Sequence, residues 1–227
     1  MNKQTVAVAI DGPAGAGKST IARRLAADMG YIYVDTGALY RTVALAVVRN
    51  SVSADDKNEV LSLLSKIDVD IVYKDSEQCV LLNGEDVSPF IRTPEISMMA
   101  SKVSAIPEVR SFLLGLQRKL AEAHNVVMDG RDIATVVLPD AKVKIFLTAS
   151  AKVRAKRRYD ELVAKGTEVD FDTVLQELIQ RDEQDMNRET APLKPSEESI
   201  IVDTSDVDLD GAVKMMTEAV LSGLKKG

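Results

Sequence analysis

The sequence VAVAIDGPAGAGKS, which spans residues 6–19, decides the fold of this chain. Its first five residues form a short apolar run with β-branched side chains, which is typical of a strand buried in a parallel sheet. From Gly17 onward the pattern becomes helical, because apolar residues recur at four-residue intervals up to Met29 and Gly30 can end a helix. A glycine-rich loop therefore joins a buried strand to the start of a helix.

The loop matches the pattern G-x-x-x-x-G-K-[S/T] in full. Glycines let the backbone wrap around a phosphate with its N–H groups directed inward, and the helix N-terminus adds positive potential. The lysine can reach the β- and γ-phosphates of ATP, and the serine hydroxyl can bind Mg²⁺ directly. A glycine-rich turn that binds nothing is the alternative, which the strand–loop–helix context disfavours. The predicted ATP-binding residues are Gly12, Pro13, Ala14, Gly15, Ala16, Gly17, Lys18, Ser19 and Thr20.

Strands alternate with helices along most of the chain, which predicts an α/β fold with a mostly parallel sheet and helices on both faces. Further strands are predicted at residues 31–34, 126–128, 143–147 and 199–203. Helices are predicted at residues 37–48, 107–123, 151–162 and 171–187, with an amphipathic C-terminal helix that ends near Leu224.

Residues 65–105 show a different pattern. Residues 68–73 alternate between polar and apolar side chains, as a half-exposed strand does. A polar turn and a second apolar strand at residues 79–82 follow, so an antiparallel pair is predicted. We therefore interpret residues 65–105 as a small subdomain inserted into a core that comprises residues 1–64 and 106–227.

Composition excludes several classes of protein. The 227 residues carry a net charge of -6, and the acidic balance argues against a long nucleic-acid-binding surface. A single cysteine cannot form a disulfide within the chain, which fits a reducing compartment. The N-terminal apolar run is too short for a signal sequence or a membrane span. We expect a cytoplasmic monomer that contacts neither nucleic acid nor membrane.

Charged residues outside the loop are grouped in ways that suit phosphoryl transfer. Asp129 ends a predicted strand, where its carboxylate would hold Mg²⁺ through water or orient Ser19; a turn or cap aspartate is the alternative. Three arginine groups occur, at residues 154–158, at residues 181–188 and at Arg131. Guanidinium groups bind phosphate in a bidentate manner and remain charged. Solvated helix faces with local ion pairs are the alternative explanation for each group taken alone.

Several motifs make the sequence resemble bacterial cytidylate kinases from about residue 5 to the C-terminus. They are IDGP at 10–13, DTGALYR at 35–41, IRT at 91–93, DGRDIATVV at 129–137, VKIFL at 143–147, and the residues Arg181, Asp182, Asp185, Asn187, Arg188 and Ala191 to Leu193. The resemblance implies a P-loop core, a nucleoside-monophosphate-binding (NMP-binding) subdomain at 65–105 and a short lid at about 154–168. It also implies ATP as phosphoryl donor, CMP or dCMP as acceptor, and Mg²⁺ as cofactor.

The resemblance further implies roles for individual residues. Arg41, Arg131 and Arg188 would hold the acceptor phosphate, and Ser101, Arg110 and Asp132 would bind cytosine. Arg181 and Asp185 would meet the sugar near Thr36, while Arg157 would bind ATP and Arg158 would act in catalysis with Lys18, Arg131 and Arg188. Thr36 stands where serine is expected in many relatives; its extra methyl group bears on the ratio of CMP to dCMP activity.

Three alternative functions are compatible with a P-loop. The first is a kinase of the same fold for UMP, AMP or shikimate, against which the insertion and Arg131-Asp132 argue. The second is a GTPase switch, but no N-K-x-D sequence is present to bind guanine. The third is an ATP-dependent nucleic-acid-binding protein, which the acidic charge and the low aromatic content disfavour.

Overall fold

The computed structural model describes residues 5–75 and 77–225. In chain order its elements are β1 (Ala7–Asp11), α1 (Lys18–Met29), β2 (Ile32–Asp35), α2 (Thr36–Arg49), α3 (Lys57–Leu64), β3 (Val69–Lys74), β4 (Glu77–Leu82), β5 (Glu85–Asp86), α4 (Pro94–Ser104), α5 (Pro107–Ala123), β6 (Val126–Gly130), β7 (Val143–Thr148), α6 (Ala151–Ala164), α7 (Phe171–Asn187), β8 (Ile200–Asp203) and α8 (Leu209–Lys225). A π-helical turn, Ile133–Val137, lies between β6 and β7. The chain divides into two compact units, residues 1–33 with 125–227, and residues 34–124.

The first unit is built on a parallel sheet. Across the described residues the strand order is β2-β6-β1-β7-β8, and the boundary between the units falls within β2. β1 pairs in parallel with β6 and β7, and β7 pairs in parallel with β8. Consecutive side chains of a strand point to opposite faces, so the complete burial of residues 8–10 and 126–128 means that both faces of the central strands are covered. The predicted α/β fold with a parallel sheet is confirmed.

One face of this sheet packs against α1 and α8. Ile21 and Leu25 of α1, with Met216 and Val220 of α8, join alternate residues of β1 and β7 in a single buried cluster. Gly30 ends α1 in the left-handed conformation at φ 65°, as its position in the sequence predicted. The apolar stripe of each helix is therefore what attaches it to the sheet.

The second unit combines a small antiparallel sheet with helices. β3 pairs with β4 and β4 with β5, all antiparallel, which confirms the predicted strand pair. α2 is buried along most of its length and packs against α4, α5 and α3. Residues 65–105 lie within this unit. Their interpretation as a separate inserted subdomain stays a prediction.

Two helices were not predicted from the sequence. α3 is short, and it begins after Asp56, whose carboxylate accepts hydrogen bonds from the N–H groups of Asn58 and Glu59. α4 begins after Thr93, whose hydroxyl caps the Ile96 N–H, and has Pro94 at its first position. Both cap signals are present in the sequence, but neither helix is long enough for its apolar spacing to stand out. By contrast, α5 and α7 have the predicted bounds.

Among residues 5–75 and 77–225, no helix combines the length and the apolar character that crossing a membrane requires.

We predict that Met216→Ala destabilises the first unit by about 2–5 kcal/mol, because it leaves a cavity among completely buried side chains of α1, α8 and the sheet. Chemical denaturation followed by circular dichroism measures this loss. Leu221→Ala on the same helix is the control, since Leu221 is half exposed and its truncation should change the unfolding free energy little. Equal effects of the two substitutions would contradict the packing described.

Candidate active site

The glycine-rich loop runs from Gly12 to Gly17 and depends on close backbone approaches. Gly12 adopts φ 150°, and a Cβ atom at this position would overlap the carbonyl oxygen of Leu147 on β7. Gly17 adopts φ 87° and precedes α1 without any side-chain cap. The loop can therefore lie directly against the sheet, and the first N–H groups of α1 lack a side-chain acceptor at Gly17, as suits an anion-binding loop.

Lys18 is buried inside this loop. Its Nζ donates a hydrogen bond to the Pro13 carbonyl at 2.7 Å, and the residue is 6% exposed. Burial and the positive charge of Arg131 lower the pKa of Lys18 well below its usual value, although Asp129, Asp11 and Asp185 act in the opposite direction. A phosphate chain bound in the loop would supply the negative charge that favours the ammonium form.

Asp129 lies at the end of β6 and connects the loop to the sheet. Its carboxylate accepts hydrogen bonds from the Ser19 hydroxyl and from the Tyr33 hydroxyl, both at 2.9 Å. These are hard oxygen donors, and Mg²⁺ at phosphoryl-transfer sites takes one or two such protein ligands with substrate phosphates and water. The Ser19 hydroxyl and the Asp129 carboxylate fit a site in which Ser19 binds Mg²⁺ directly and Asp129 contacts Ser19. Nowhere in residues 5–75 and 77–225, this site included, could a group of three His, Cys, Asp or Glu side chains hold a metal.

Asp11, the last residue of β1, supports the segment that follows β6. Its carboxylate accepts the backbone N–H groups of Ile133 and Ala134 at 2.7 and 2.8 Å, and so holds the π-helical turn just after Arg131 and Asp132. Burial raises the pKa of Asp11 to about 7, against the lowering effect of the two hydrogen bonds. Asp11 thus orients two of the predicted acceptor-binding residues through the backbone.

The predicted acceptor-site residues of the first unit come together around Asp185. Arg131 Nε donates to its carboxylate at 2.8 Å, and Arg188 lies 3.8 Å from Asp185 and 3.6 Å from Asp132. Burial raises the pKa of Asp185, but Arg131, with Arg181 and Arg188, outweighs it, so the net pKa lies below the usual value. These residues therefore lie close together, and the roles that the resemblance implies for them stay predictions.

The arginines of α6 have different partners from one another. Arg154 is buried against Asp182 of α7 at 2.6 Å. Arg157 donates to the Thr204 carbonyl at 2.7 Å, after β8, and Arg158 pairs with Glu161 on its own helix at 2.9 Å. The sequence placed the three arginines on one helical face; the structure distributes them over three environments.

In the second unit, the predicted acceptor-phosphate residue Arg41 is held by Asp35. The Asp35 carboxylate caps α2 at the Ala38 N–H and binds Arg41 at 2.9 Å and Arg92 at 3.3 Å. Thr36 follows directly and is buried at the start of α2. One buried carboxylate thus positions two guanidinium groups beside the predicted sugar-binding threonine.

The two predicted cytosine-binding residues of this unit lie on neighbouring helices. Arg110 of α5 is 7% exposed, donates to the Ser104 carbonyl at 3.2 Å, and stacks over the Tyr40 ring with its centre 5.4 Å from the centroid. Ser101 lies one turn before Ser104 on α4 and is half-buried. A buried guanidinium held by a ring and a carbonyl suits selective hydrogen bonding.

Comparison with known proteins identifies the family. The cytidylate kinase family model matches residues 8–222. This chain belongs to the cytidylate kinase family. It is 51% identical to a cytidylate kinase from Carboxydothermus hydrogenoformans over 94% of this chain and 96% of the relative. It is 50% identical to a cytidylate kinase from Syntrophotalea carbinolica over 97% of this chain and 93% of the relative.

Similarity to solved structures supports the fold of this cytidylate kinase family member. The crystal structure of an uncharacterized protein from Eubacterium ventriosum aligns with a TM-score of 0.54, at 17% identity, over 96% of this chain and 99% of that chain. At such low identity the likeness concerns the fold alone.

Sequence reasoning missed several supporting residues of this family member. Asp11, Asp35 and Asp182 are each at most 5% exposed, and each holds a backbone N–H group or an arginine of the site. The available signal was a charged residue at the end of an apolar strand, as Asp11 is in β1 and Asp35 is in β2. The partners of Asp11 and Asp182 are distant in sequence, so these contacts could not be inferred from the sequence.

We predict that the stability of the wild-type chain relative to Asp11→Asn falls as pH rises from about 4 to about 7. The pKa of Asp11 is raised from 3.8 to about 7, so in this window the folded chain binds more protons than the unfolded chain, and rising pH favours unfolding. The neighbouring charges that act on it are Asp132 and Lys18. Urea midpoints of both proteins across this pH range measure the difference.

Asp140→Asn is the control for this pH series, because Asp140 is exposed in the loop before β7. The expected pH-dependent difference should be absent between this variant and the wild type. Parallel stability curves for the wild type and Asp11→Asn would show that Asp11 keeps an ordinary pKa.

Proposed function

We propose that this chain transfers the γ-phosphoryl group of ATP to CMP or dCMP, which yields ADP and CDP or dCDP. Membership of the cytidylate kinase family supports the choice of acceptor. The observation that carries the proposal is geometric: β1, which leads into the P-loop, pairs with β6, which leads into Arg131, and Asp185 accepts a hydrogen bond from the Arg131 guanidinium at 2.8 Å. A phosphate-binding loop and an arginine cluster thus act on the same region of the first unit.

The proposed reaction requires little covalent chemistry from the protein. An oxygen of the acceptor phosphate forms a bond to the γ-phosphorus of ATP, and the bond from that phosphorus to the β–γ bridging oxygen breaks to release ADP. The acceptor phosphate is already a nucleophile when ionised, so no general base is needed. The protein contributes alignment and positive charge, which the loop N–H groups, Lys18, Arg131 and Arg188 provide.

Mg²⁺ is the proposed cofactor. When bound it neutralises negative charge on the ATP phosphates. The Ser19 hydroxyl would hold it directly, and Asp129, which accepts the Ser19 hydrogen bond at 2.9 Å, would hold it through water. Tyr33 steadies the other oxygen of this carboxylate at 2.9 Å, so its orientation is set before any ligand arrives.

Acceptor selection is proposed to rest on the residues that the family motifs single out. We propose that Arg41, Arg131 and Arg188 bind the acceptor phosphate, that Arg181 and Asp185 meet the sugar near Thr36, and that Ser101, Arg110 and Asp132 bind cytosine. Cytosine offers an N4 amino donor with N3 and O2 acceptors. Asp132 can accept from N4 and Arg110 can donate to N3 or O2, whereas uracil would present its O4 acceptor to a carboxylate without a proton.

The proposed lid is the segment at about residues 154–168. α6 ends at Ala164, and Gly166 adopts a left-handed φ of 76°, so the helix stops inside this segment. On closure Arg157 would bind ATP and Arg158 would approach the migrating phosphoryl group, while water is excluded. We further propose that the chain acts in the cytoplasm as a monomer on small molecules alone, without nucleic acid or membrane. The net charge of -6 supports the absence of a nucleic-acid partner.

We predict rapid ADP release from ATP and Mg²⁺ with CMP or dCMP, and little with UMP, AMP, GMP or shikimate. Lys18→Ala should reduce turnover by orders of magnitude, because the only ammonium of the P-loop is removed. A coupled assay with the acceptor panel measures both. Turnover with a different acceptor would contradict the proposed cytosine site, and no turnover with any acceptor would contradict the kinase itself.

We predict that Asp132→Asn reduces discrimination against UMP, which we expect to be roughly a hundredfold in the wild type. An asparagine amide can donate to the O4 of uracil, which a carboxylate cannot. The measurement is the ratio of kcat/KM for CMP and UMP. Asp140→Asn, an exposed substitution with the same change of charge, should leave the ratio unchanged. An unaltered ratio in Asp132→Asn would mean that another residue binds the base edge.

A further inference from the structure

Arg154 on α6 makes contacts that differ from those of the other lid arginines. Its Nε donates to the Ala149 carbonyl at 2.8 Å, its Nη1 to the Ala14 carbonyl at 2.8 Å, and its Nη2 pairs with Asp182 at 2.6 Å. Both side chains are nearly buried, at 6% and 7% exposure. Each of the three guanidinium nitrogens therefore has an acceptor, and one of these acceptors lies in the P-loop.

The contact with Ala14 determines how one P-loop peptide is oriented. The peptide bonds of the described residues are all trans, and in a trans peptide the carbonyl of one residue and the N–H of the next point in opposite directions. Because Arg154 holds the Ala14 carbonyl on the α6 side, the Gly15 N–H is directed away from α6. Gly15 itself is exposed, so this N–H belongs to a residue that a ligand can approach.

Packing supports the same orientation. A Cβ atom on Gly15 would lie 3.3 Å from both the Cβ and the carbonyl oxygen of Arg154, so the loop rests closely on the start of α6. Ala14 also belongs to the apolar cluster that Ala155 forms with Val174 and Leu178 of α7. The outer side of the P-loop is thus covered by α6 and α7.

We infer that Arg154, fixed by Asp182, is a positioning residue that presets the Gly15 N–H as a hydrogen-bond donor to the phosphate chain of the donor nucleotide. A donor aligned before the ligand arrives loses less conformational freedom on binding and interacts more strongly with an anion. The inference rests on the proposed function, in that the P-loop binds ATP and ADP. Arg154 therefore contacts the backbone of the P-loop and does not contact the nucleotide itself.

Asp182 joins this arrangement to the helix of the acceptor cluster. It lies between Arg181 and Asp185 on α7, and one of its oxygens is buried without a hydrogen-bond partner. Removing Arg154 outright would leave this carboxylate buried and unpaired, which is strongly destabilising. A test therefore needs a variant that keeps the positive charge.

Arg154→Lys is that variant, because an ammonium retains the charge but cannot reproduce the planar fork that reaches three acceptors. We expect its affinity for ADP to fall about tenfold, as the loss of a charge-assisted hydrogen bond implies. Its affinity for CMP should change by less than about twofold, since the hydrogen bond from Arg154 to the Ala14 carbonyl orients the P-loop, which binds the donor nucleotide. Calorimetric titration of the full chain with each nucleotide measures both values.

A second readout does not depend on nucleotide binding. In protein labelled with nitrogen-15 glycine, the Gly15 amide resonance of the nucleotide-free chain should move in Arg154→Lys. Lys152→Met is the matched control, because Lys152 is exposed on the same helix and lies outside the proposed lid. It should leave the ADP affinity and the Gly15 resonance as in the wild type.

Asp182→Asn tests the pair from its other side. The amide keeps the shape and one acceptor but weakens the hold on the guanidinium, so we expect ADP affinity to fall about threefold. The inference is overturned if Arg154→Lys and Asp182→Asn bind ADP as the wild type does. It is also overturned if they lose ADP and CMP affinity equally with an unmoved Gly15 resonance, as a merely structural role would predict. A wild-type chain that fails to bind ADP would overturn the proposed function as well.

Discussion

The parallel pairing of β1 with β6 is the constraint on which the site of the first unit depends. The register places Ile10 beside Asp129 and Asp11 beside Gly130, so both strands end at the same edge of the sheet. The P-loop leaves from one strand end and the Arg131-Asp132 segment from the other. Ser19 can therefore reach Asp129, and Asp11 can reach the backbone beyond Asp132. Ligand sites of open α/β sheets form at this edge for the same reason.

Buried charge is concentrated at this edge, and each charge has a specific partner. An ionised side chain removed from water is costly unless it is paired and hydrogen-bonded. Asp185 with Arg131, and Asp182 with Arg154, meet this requirement on one face of α7. The first pair belongs to the predicted acceptor site, and the second contacts the P-loop through the Ala14 carbonyl. α7 thus holds Arg131 of the acceptor site through Asp185 and holds Arg154, which contacts the P-loop, through Asp182.

The second unit uses the same principle on a smaller scale. Asp35 caps α2 and holds Arg41 and Arg92, while the Gln78 side chain of β4 hydrogen-bonds the backbone N–H and carbonyl of Asp35. The position of the carboxylate is therefore fixed by the antiparallel sheet as well as by the helix it begins. Rigid supports of this kind keep the predicted phosphate-binding arginine in place.

The sequence by itself determined the α/β class, the P-loop, the bounds of α5 and α7, and the family, because periodicity and contiguous motifs are local properties. It also singled out Arg131, Asp132, Arg181, Asp185 and Arg188 through the family motifs, and their roles at the acceptor site stay predictions. Only the tertiary structure decided which acceptor each arginine of α6 binds, and that Asp11, Asp35 and Asp182 support the site. A guanidinium can turn to any acceptor within reach of its long side chain, and the acceptors that surround Arg154, at Ala14, Ala149 and Asp182, meet only when the loop and two helices pack together.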